Sequence, residues 1–232
     1  MTYSTTVPAP DGKGEFAIYV AEPATEPKAA IIVVQEIFGV NADIRRRCDL
    51  LAQAGYLAVA PDMFWRMEPG LQLDADDPSS WDCGVALVIR FDTDAGVRDV
   101  QATINKARAL VGGGKVGLVG FCLGGRMAAF AAARTDIDAS VGYYGVQVEK
   151  MLGEKDAIAN PLMLHIPEID PNVSAAVQAD IHRALDDHAK VTLHDYPGEH
   201  HGFAETFGVR RSERAAREAD ARTLAFFAEH LA

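Results

Sequence analysis

The stretch KVGLVGFCLGGRMAAFAAA, Lys115 to Ala133, decides the fold. Its first half, VGLVGF, is an unbroken apolar run of strand length, and its second half is alanine-rich and helix-forming. Between them GFCLG, Gly120–Gly124, spells glycine, any residue, nucleophile, any residue, glycine, with Cys122 at the centre. A side chain at the tip of so tight a strand-to-helix turn must adopt a strained backbone conformation. Its neighbours two residues away must therefore lack side chains, so that strand and helix can close on it. Such a turn lifts the thiol above a sheet edge and aims the Leu123 N–H and the helix N-terminus at whatever reacts there. For an isolated GxCxG, a small buried cysteine beside packing glycines is the better reading. The strand before and the helix after favour the nucleophile turn.

Working outward, short apolar runs alternate with longer amphipathic ones. GEFAIYVA, AAIIVVQ, YLAVAPD, KVGLVGF, ASVGYYG, PLMLHI and KVTLHDY read as strands. Helices are expected over roughly Ala42–Ala54, Ala95–Val111, Leu123–Arg134, Val173–Ala189 and Arg210–Leu231. In the last, Ala221, Leu224, Ala228 and Leu231 fall on one face with Phe227 at its edge, and Arg217 on the same side starts that apolar face at Ala221. Met63–Arg90 has weak periodicity and reads as an excursion with a short helix near Trp81–Ile89. GGGKVG, Gly112–Gly117, fits G-x-G-x-x-G by letter but precedes a strand, whereas a dinucleotide fingerprint follows one; it reads as a helix stop and loop. The pattern predicts an α/β fold with a mostly parallel central sheet and helices on both faces. No linker or repeat divides it, so residues 1–232 are expected to form one domain without a large cap.

Twenty-two basic against 33 acidic residues give a net charge of −11. That surface repels phosphate backbones and anionic lipid, so neither nucleic acid nor membrane is an expected partner. The N-terminus lacks a signal pattern, and the apolar runs are too short to span a bilayer. Cys48, Cys83 and Cys122 are an odd number at scattered spacings, with no CxxC pair, so no disulfide framework or metal site is indicated. A reduced, cytoplasmic protein without metal or organic cofactor is expected, as a monomer or small homo-oligomer.

A thiol on such a turn needs a base, and in folds built around it the acid and then the histidine follow on loops after later strands. After PLMLHI come Glu168 and Asp170; after KVTLHDY come His200 and His201. Both loops should reach the sheet edge that carries Cys122. Spacing alone does not choose between His200 and His201.

The chain resembles the dienelactone hydrolase family of α/β-hydrolases along nearly its whole length. VVQEIFGVN (Val33–Asn41), GYLAVAPD (Gly55–Asp62), GKVGLVGFCLGG, VGYYGV (Val141–Val146) and HHGFA (His200–Ala204) carry the resemblance, with QEIFG and GFCLGG together the most specific. It implies a cysteine-nucleophile hydrolase cleaving a small lactone or ester through a thioester, with catalytic Cys122, Asp170 and His201; the His-Gly-Phe match selects His201. It also implies that Glu36 helps activate the thiol when substrate binds. An ordinary thiol is only a few per cent thiolate at neutral pH, and one left neutral until then resists oxidation. The backbone N–H groups of Ile37 and Leu123 correspond to the family's oxyanion hole, where one donor is typically worth about 3 kcal/mol of barrier.

The sequence departs from the family at its substrate clamp. Where characterised members resemble one another in carrying two arginines, this chain has Trp81 and Glu205. A carboxylate would be repelled by Glu205 at close range. Trp81 instead offers an apolar wall suited to a neutral or aromatic ester. Arg126 and Tyr144 are further candidates for substrate contact, although helix packing is the better reading of Arg126 and sheet packing accounts for Tyr144 as readily. Arg210 and Arg211 read most simply as a solvated helix start, with a swing into the site as the alternative. Cys48 and Cys83 read as structural, His165 as packed within its strand, and Asp62 as a turn cap. Three functions follow: the hydrolase, an esterase shifted to neutral esters, or a binding protein on the same fold. A thiol redox sensor lacks a resolving cysteine in sequence.

Overall fold

The computed structural model describes residues 1–232. An eight-stranded sheet runs in the order β1-β2-β4-β3-β5-β6-β7-β8, from β1 (Thr2–Pro8) and β2 (Glu15–Ala21) at one edge to β7 (Leu162–Ile169) and β8 (Val191–His200) at the other. The β1–β2 and β2–β4 pairs are antiparallel, and all the others are parallel. Every residue of β3 (Ala30–Val34), β4 (Leu57–Pro61), β5 (Val116–Phe121) and β6 (Ala139–Tyr143) is buried. That is why these strands read as continuous apolar runs: helices cover both faces. On one face lie α1 (Ala42–Gln53) and α6 (Glu213–His230); on the other lie α3 (Thr93–Leu110), α4 (Leu123–Arg134) and α5 (Ala175–Leu185). No helix is long and apolar enough to cross a membrane.

Several expectations are corrected. Strand β1 was not expected, because only Val7 of its residues is buried and an edge strand of TYSTTV carries little apolar signal. The excursion holds a full helix, α2 (Pro78–Arg90), started by Asp77, whose carboxylate accepts from Ser79 N–H, and by Pro78 in the first turn. Val148–Ala157, where no element is expected from the sequence, forms a 3₁₀ stretch. Helix α5 stops at Leu185, short of Ala189. Helix α6 begins at Glu213, so Arg210 and Arg211 belong to the loop before it. Its face also differs: Ala215, Ala216, Ala219, Thr223, Phe226 and Phe227 are buried, while Leu224 is 40% exposed. Thr223 claims a core position because its hydroxyl bonds Tyr143 Oη (2.6 Å) and His165 Nε2 (3.0 Å), a polar knot invisible to apolar periodicity. His165 is buried in its strand, as read. The triple glycine is a loop, with Gly112 and Gly113 at positive φ.

Register delivers the site. Val34 of β3 lies opposite Gly120 of β5, and Phe121 of β5 opposite Tyr143 of β6. At the far edge, a register shift between Pro167 and Ile169 sets Ile169 opposite His200. The residues that leave these strands, Glu36, Cys122, Tyr144, Asp170 and His201, therefore emerge at one level along the carboxyl edge.

Candidate active site

Cys122 sits at φ 54°, ψ −107°, a conformation L side chains rarely adopt. The flanking glycines are sterically required. A Cβ on Gly120 would lie 1.9 Å from the Gly124 carbonyl oxygen, and one on Gly124 would lie 2.2 Å from that of Val34. The Cys122 N–H donates to Tyr143 O (3.0 Å) and the Gly124 N–H to Gln35 O (3.0 Å), tying the turn to both neighbouring strand ends. Leu123 opens α4, so its N–H has no intrahelical acceptor. The Ile37 N–H, on the loop after β3, is likewise left without a protein acceptor. Buried Gln35 fixes that loop by accepting from Met63 N–H (3.0 Å) and donating to Glu36 O (3.3 Å).

Asp170 and His201 meet at 2.7 Å between Oδ2 and Nδ1, both nearly buried. The Asn172 N–H donates to the other carboxylate oxygen at 2.8 Å, fixing the acid. That bond occupies Nδ1 and leaves Nε2 free, in the cleft that His201 shares with Cys122. Burial alone would lower the imidazole. The nearby Cys122 sulfur and the hydrogen bond with Asp170 outweigh it and push His201 up to about 10. The alternatives fall away: Glu168 is spent on Gly198 N–H (2.7 Å), and His200 closes β8 facing outward. The loop after His201 is clamped to α1. Arg47, buried and paired with Asp43, donates to Ala204 O at 2.6 Å, while Asp43 accepts from the Thr206 N–H and hydroxyl.

A cleft of about 220 Å³ joins Cys122, His201 and Glu36 to Ile37, Phe38, Trp81, Val85, Val88, Val146, Gln147, Asn172 and Arg210. Arg210 is the cation in it, not a solvated helix residue. Its guanidinium lies 4.8 Å from the Trp81 ring and 5.6 Å from that of Phe38. It pairs closely with Glu205 and at 3.4 Å with Glu36. Trp81 and Glu205, which looked unfit to hold an anion, hold an arginine instead. The Trp81 indole is set by donating to Ala75 O (2.9 Å). Glu205 itself is buried and does not line the cleft. Arg211 turns away, to Glu213 and to Glu205 O.

Two further candidates stand outside the cleft lining. Arg126, on the first turns of α4, is buried and reaches Gln147 rather than the cavity. Tyr144 is wholly buried, with its ring 4.9 Å from that of His201 and its hydroxyl unpaired; burial pushes its phenol well up, so it stays neutral. Cys48 lies on the buried face of α1, where burial raises its thiol, whereas Cys83 is exposed on α2 and not structural. Asp62 accepts from Phe64 and Gly70 N–H, as a turn cap. Gln35, Phe38, Gln147 and Asn172 were not singled out as site residues. Of these only Gln35 and Phe38 sat within a stretch marked as distinctive, QEIFG.

A model of the dienelactone hydrolase family matches residues 16–231. The chain belongs to that family. A Cupriavidus pinatubonensis protein named carboxymethylenebutenolidase 1 is 38% identical, over 93% of this chain and 92% of its own. The Pseudomonas putida carboxymethylenebutenolidase is 37% identical, over 98% and 97%. A solved Klebsiella pneumoniae structure bearing the dienelactone hydrolase name superposes with a TM-score of 0.84 at 26% identity, covering 99% of each chain. The fold is that of the α/β-hydrolases, and membership in the dienelactone hydrolase family makes this chain a hydrolase of lactone or ester bonds.

Proposed function

We propose that this dienelactone hydrolase family member cleaves a small lactone or ester with Cys122 as nucleophile and His201 and Asp170 as its proton-handling pair. The observation that carries the reading is the strained turn presenting Cys122 to the same cleft as a histidine whose Nδ1 is held by a buried carboxylate. The thiolate attacks the carbonyl carbon, and the oxyanion forms against the N–H groups of Ile37 and Leu123. Collapse expels the alkoxide, which takes a proton from His201 Nε2, and leaves a thioester on Cys122. Water, deprotonated by the same nitrogen, attacks the thioester; the acid leaves and the proton returns to the Cys122–His201 pair. Glu36, buried on the cleft wall with one oxygen unpaired, takes part in activating the thiol.

Arg210 favours an acyl group bearing a carboxylate or several oxygens, since it is the guanidinium lining the cleft. A second reading, a neutral ester, is favoured by its present partners: two carboxylates already face one guanidinium. Hydrolysis of a dienelactone, its methyl ester and p-nitrophenyl acetate by wild type and Cys122→Ala decides. Turnover lost in Cys122→Ala with the fold intact is the expected result; full activity in that variant ends the proposal. A dienelactone preferred over its methyl ester assigns the carboxylate to Arg210, and the reverse preference assigns neutral esters. Inert wild type moves the binding-protein reading ahead.

A further inference from the structure

The cleft has a polar wall that this reaction scheme leaves unused. Gln147, just after the Tyr144–Val146 turn, lines it together with Val146, Cys122 and His201. Its carboxamide is gripped from behind by two cations: Arg126 Nη1 donates to Oε1 at 2.5 Å and Lys150 Nζ at 2.9 Å. Only the carbonyl oxygen of an amide accepts from guanidinium and ammonium groups, so chemistry itself assigns the two amide ends. The Nε2 amine then keeps two N–H donors that find no acceptor within the protein.

The surroundings make this arrangement costly, which is itself informative. Gln147 is left-handed (φ 59°, ψ 26°), and Tyr144 in the same turn has φ 37°. Such positions are strained in non-glycine residues and persist only where packing dictates them. Here Gly145 presses on α4 so closely that a Cβ would sit 2.9 Å from the Gly125 carbonyl carbon. Arg126 is 2% exposed, and its Nε and Nη2 are unpaired. It has no carboxylate partner, and a glutamate in place of Gln147 would provide one between Arg126 and Lys150. The neutral amide forgoes that stabilisation and presents a donor to the cleft instead of an acceptor.

We propose that Gln147 is a specificity-determining residue whose Nε2 amine, aimed by Arg126 and Lys150, donates to a carbonyl or carboxylate oxygen on the substrate's arm, away from the scissile bond. This rests on hydrolysis centred on Cys122 and adds a recognition point separate from Arg210. Because it acts by hydrogen bonding, it reads neutral oxygens as well as charged ones.

The test uses phenyl levulinate and the isostere in which CH–CH3 replaces its ketone C=O, two substrates with one leaving group and nearly one shape. The same replacement on the alcohol arm of an acetate ester covers the other arm. Wild type is expected to favour the ketone in one pair by about five- to tenfold in kcat/KM, the range of one net hydrogen bond. Gln147→Met should bring that ratio to about one. Gln147→Glu should invert it while raising the thermal midpoint, because the new carboxylate completes the cation pair. Protection of Cys122 from iodoacetamide by the corresponding anilides, read by mass, repeats the comparison without turnover. Loss of the ketone preference in Gln147→Met, in rates or in protection, supports the assignment. Ratios near one already in wild type, or unchanged in Gln147→Met for both arms and in protection, overturn it. Hydrolysis surviving in Cys122→Ala instead removes the catalytic reading and leaves protection to judge Gln147.

Discussion

Gly124→Ala is expected to damage both stability and activity, against every local preference of the chain. Gly124 lies in the first turn of α4, and alanine in a helix is more favourable than glycine by about 1 kcal/mol. Propensity alone therefore predicts stabilisation. The tertiary contact predicts the reverse: the new Cβ would stand 2.2 Å from Val34 O, 2.8 Å from Val34 C and 2.9 Å from Gln35 O. All three are backbone atoms at the carboxyl end of a central strand, with no rotamer to yield. Relief requires α4 to back away from β3 by about an ångström, which strains the Gly124 N–H to Gln35 O bond. Overpacking costs typically ~1–3 kcal/mol, and a rigid backbone partner puts this case at the upper end. After the propensity gain, a net loss of about 2 kcal/mol is expected, or roughly 4–8 °C in midpoint for a chain of this size. Because that same bond holds the Glu36–Ile37 loop against the turn, kcat should fall more than KM rises. Urea unfolding and steady-state kinetics, with Gly153→Ala as a control at a position open to solvent, measure both. A Gly124→Ala protein as stable as wild type would refute the steric account of the turn.

Two other outcomes follow from the Asp170–His201 pair. Asp170→Asn should leave the fold intact but lower kcat by roughly 10⁴-fold, the loss seen when a triad acid no longer fixes the imidazole tautomer; a reduction under tenfold would remove Asp170 from the mechanism. His201 also couples folding to pH. Its folded pKa is about 10, above the unfolded value near 6.5, so the stability it contributes is full below pH 6.5. That contribution drains away as pH rises through the interval up to about 10. Midpoints recorded between these limits should fall more steeply for wild type than for Asp170→Asn, since that variant removes the carboxylate that helps hold the proton on His201; parallel curves would contradict it.

Much of this was legible without coordinates because it is local. The glycines of GFCLGG carry a steric rule that acts within five residues, and the buried parallel strands announce themselves as unbroken apolar runs. The order of nucleophile, acid and histidine follows from a fold already implied. Misread features were those set by partners distant in sequence. Strand β1 exists because β2 needs a neighbour, and the buried face of α6 is shifted by the Thr223 hydroxyl meeting Tyr143 and His165.

The sequence by itself determined the buried parallel strands, the turn at Cys122 and the pool of chemical groups, since these depend on backbone sterics, hydrophobic periodicity and chain order. Tertiary structure alone decided how those groups face one another. Register brought Asp170 and His201 off adjacent strands at one level and turned His200 away. The late start of α6 freed Arg210 to lie across Trp81 between Glu36 and Glu205, so two residues that read as hostile to an anion became the seat of a cation. The amide of Gln147 took its direction from Arg126, which lies 21 positions earlier, and Lys150. The physical reason is common to all three: a charge or donor acquires its meaning from neighbours within a few ångströms, and packing, not sequence spacing, chooses those neighbours.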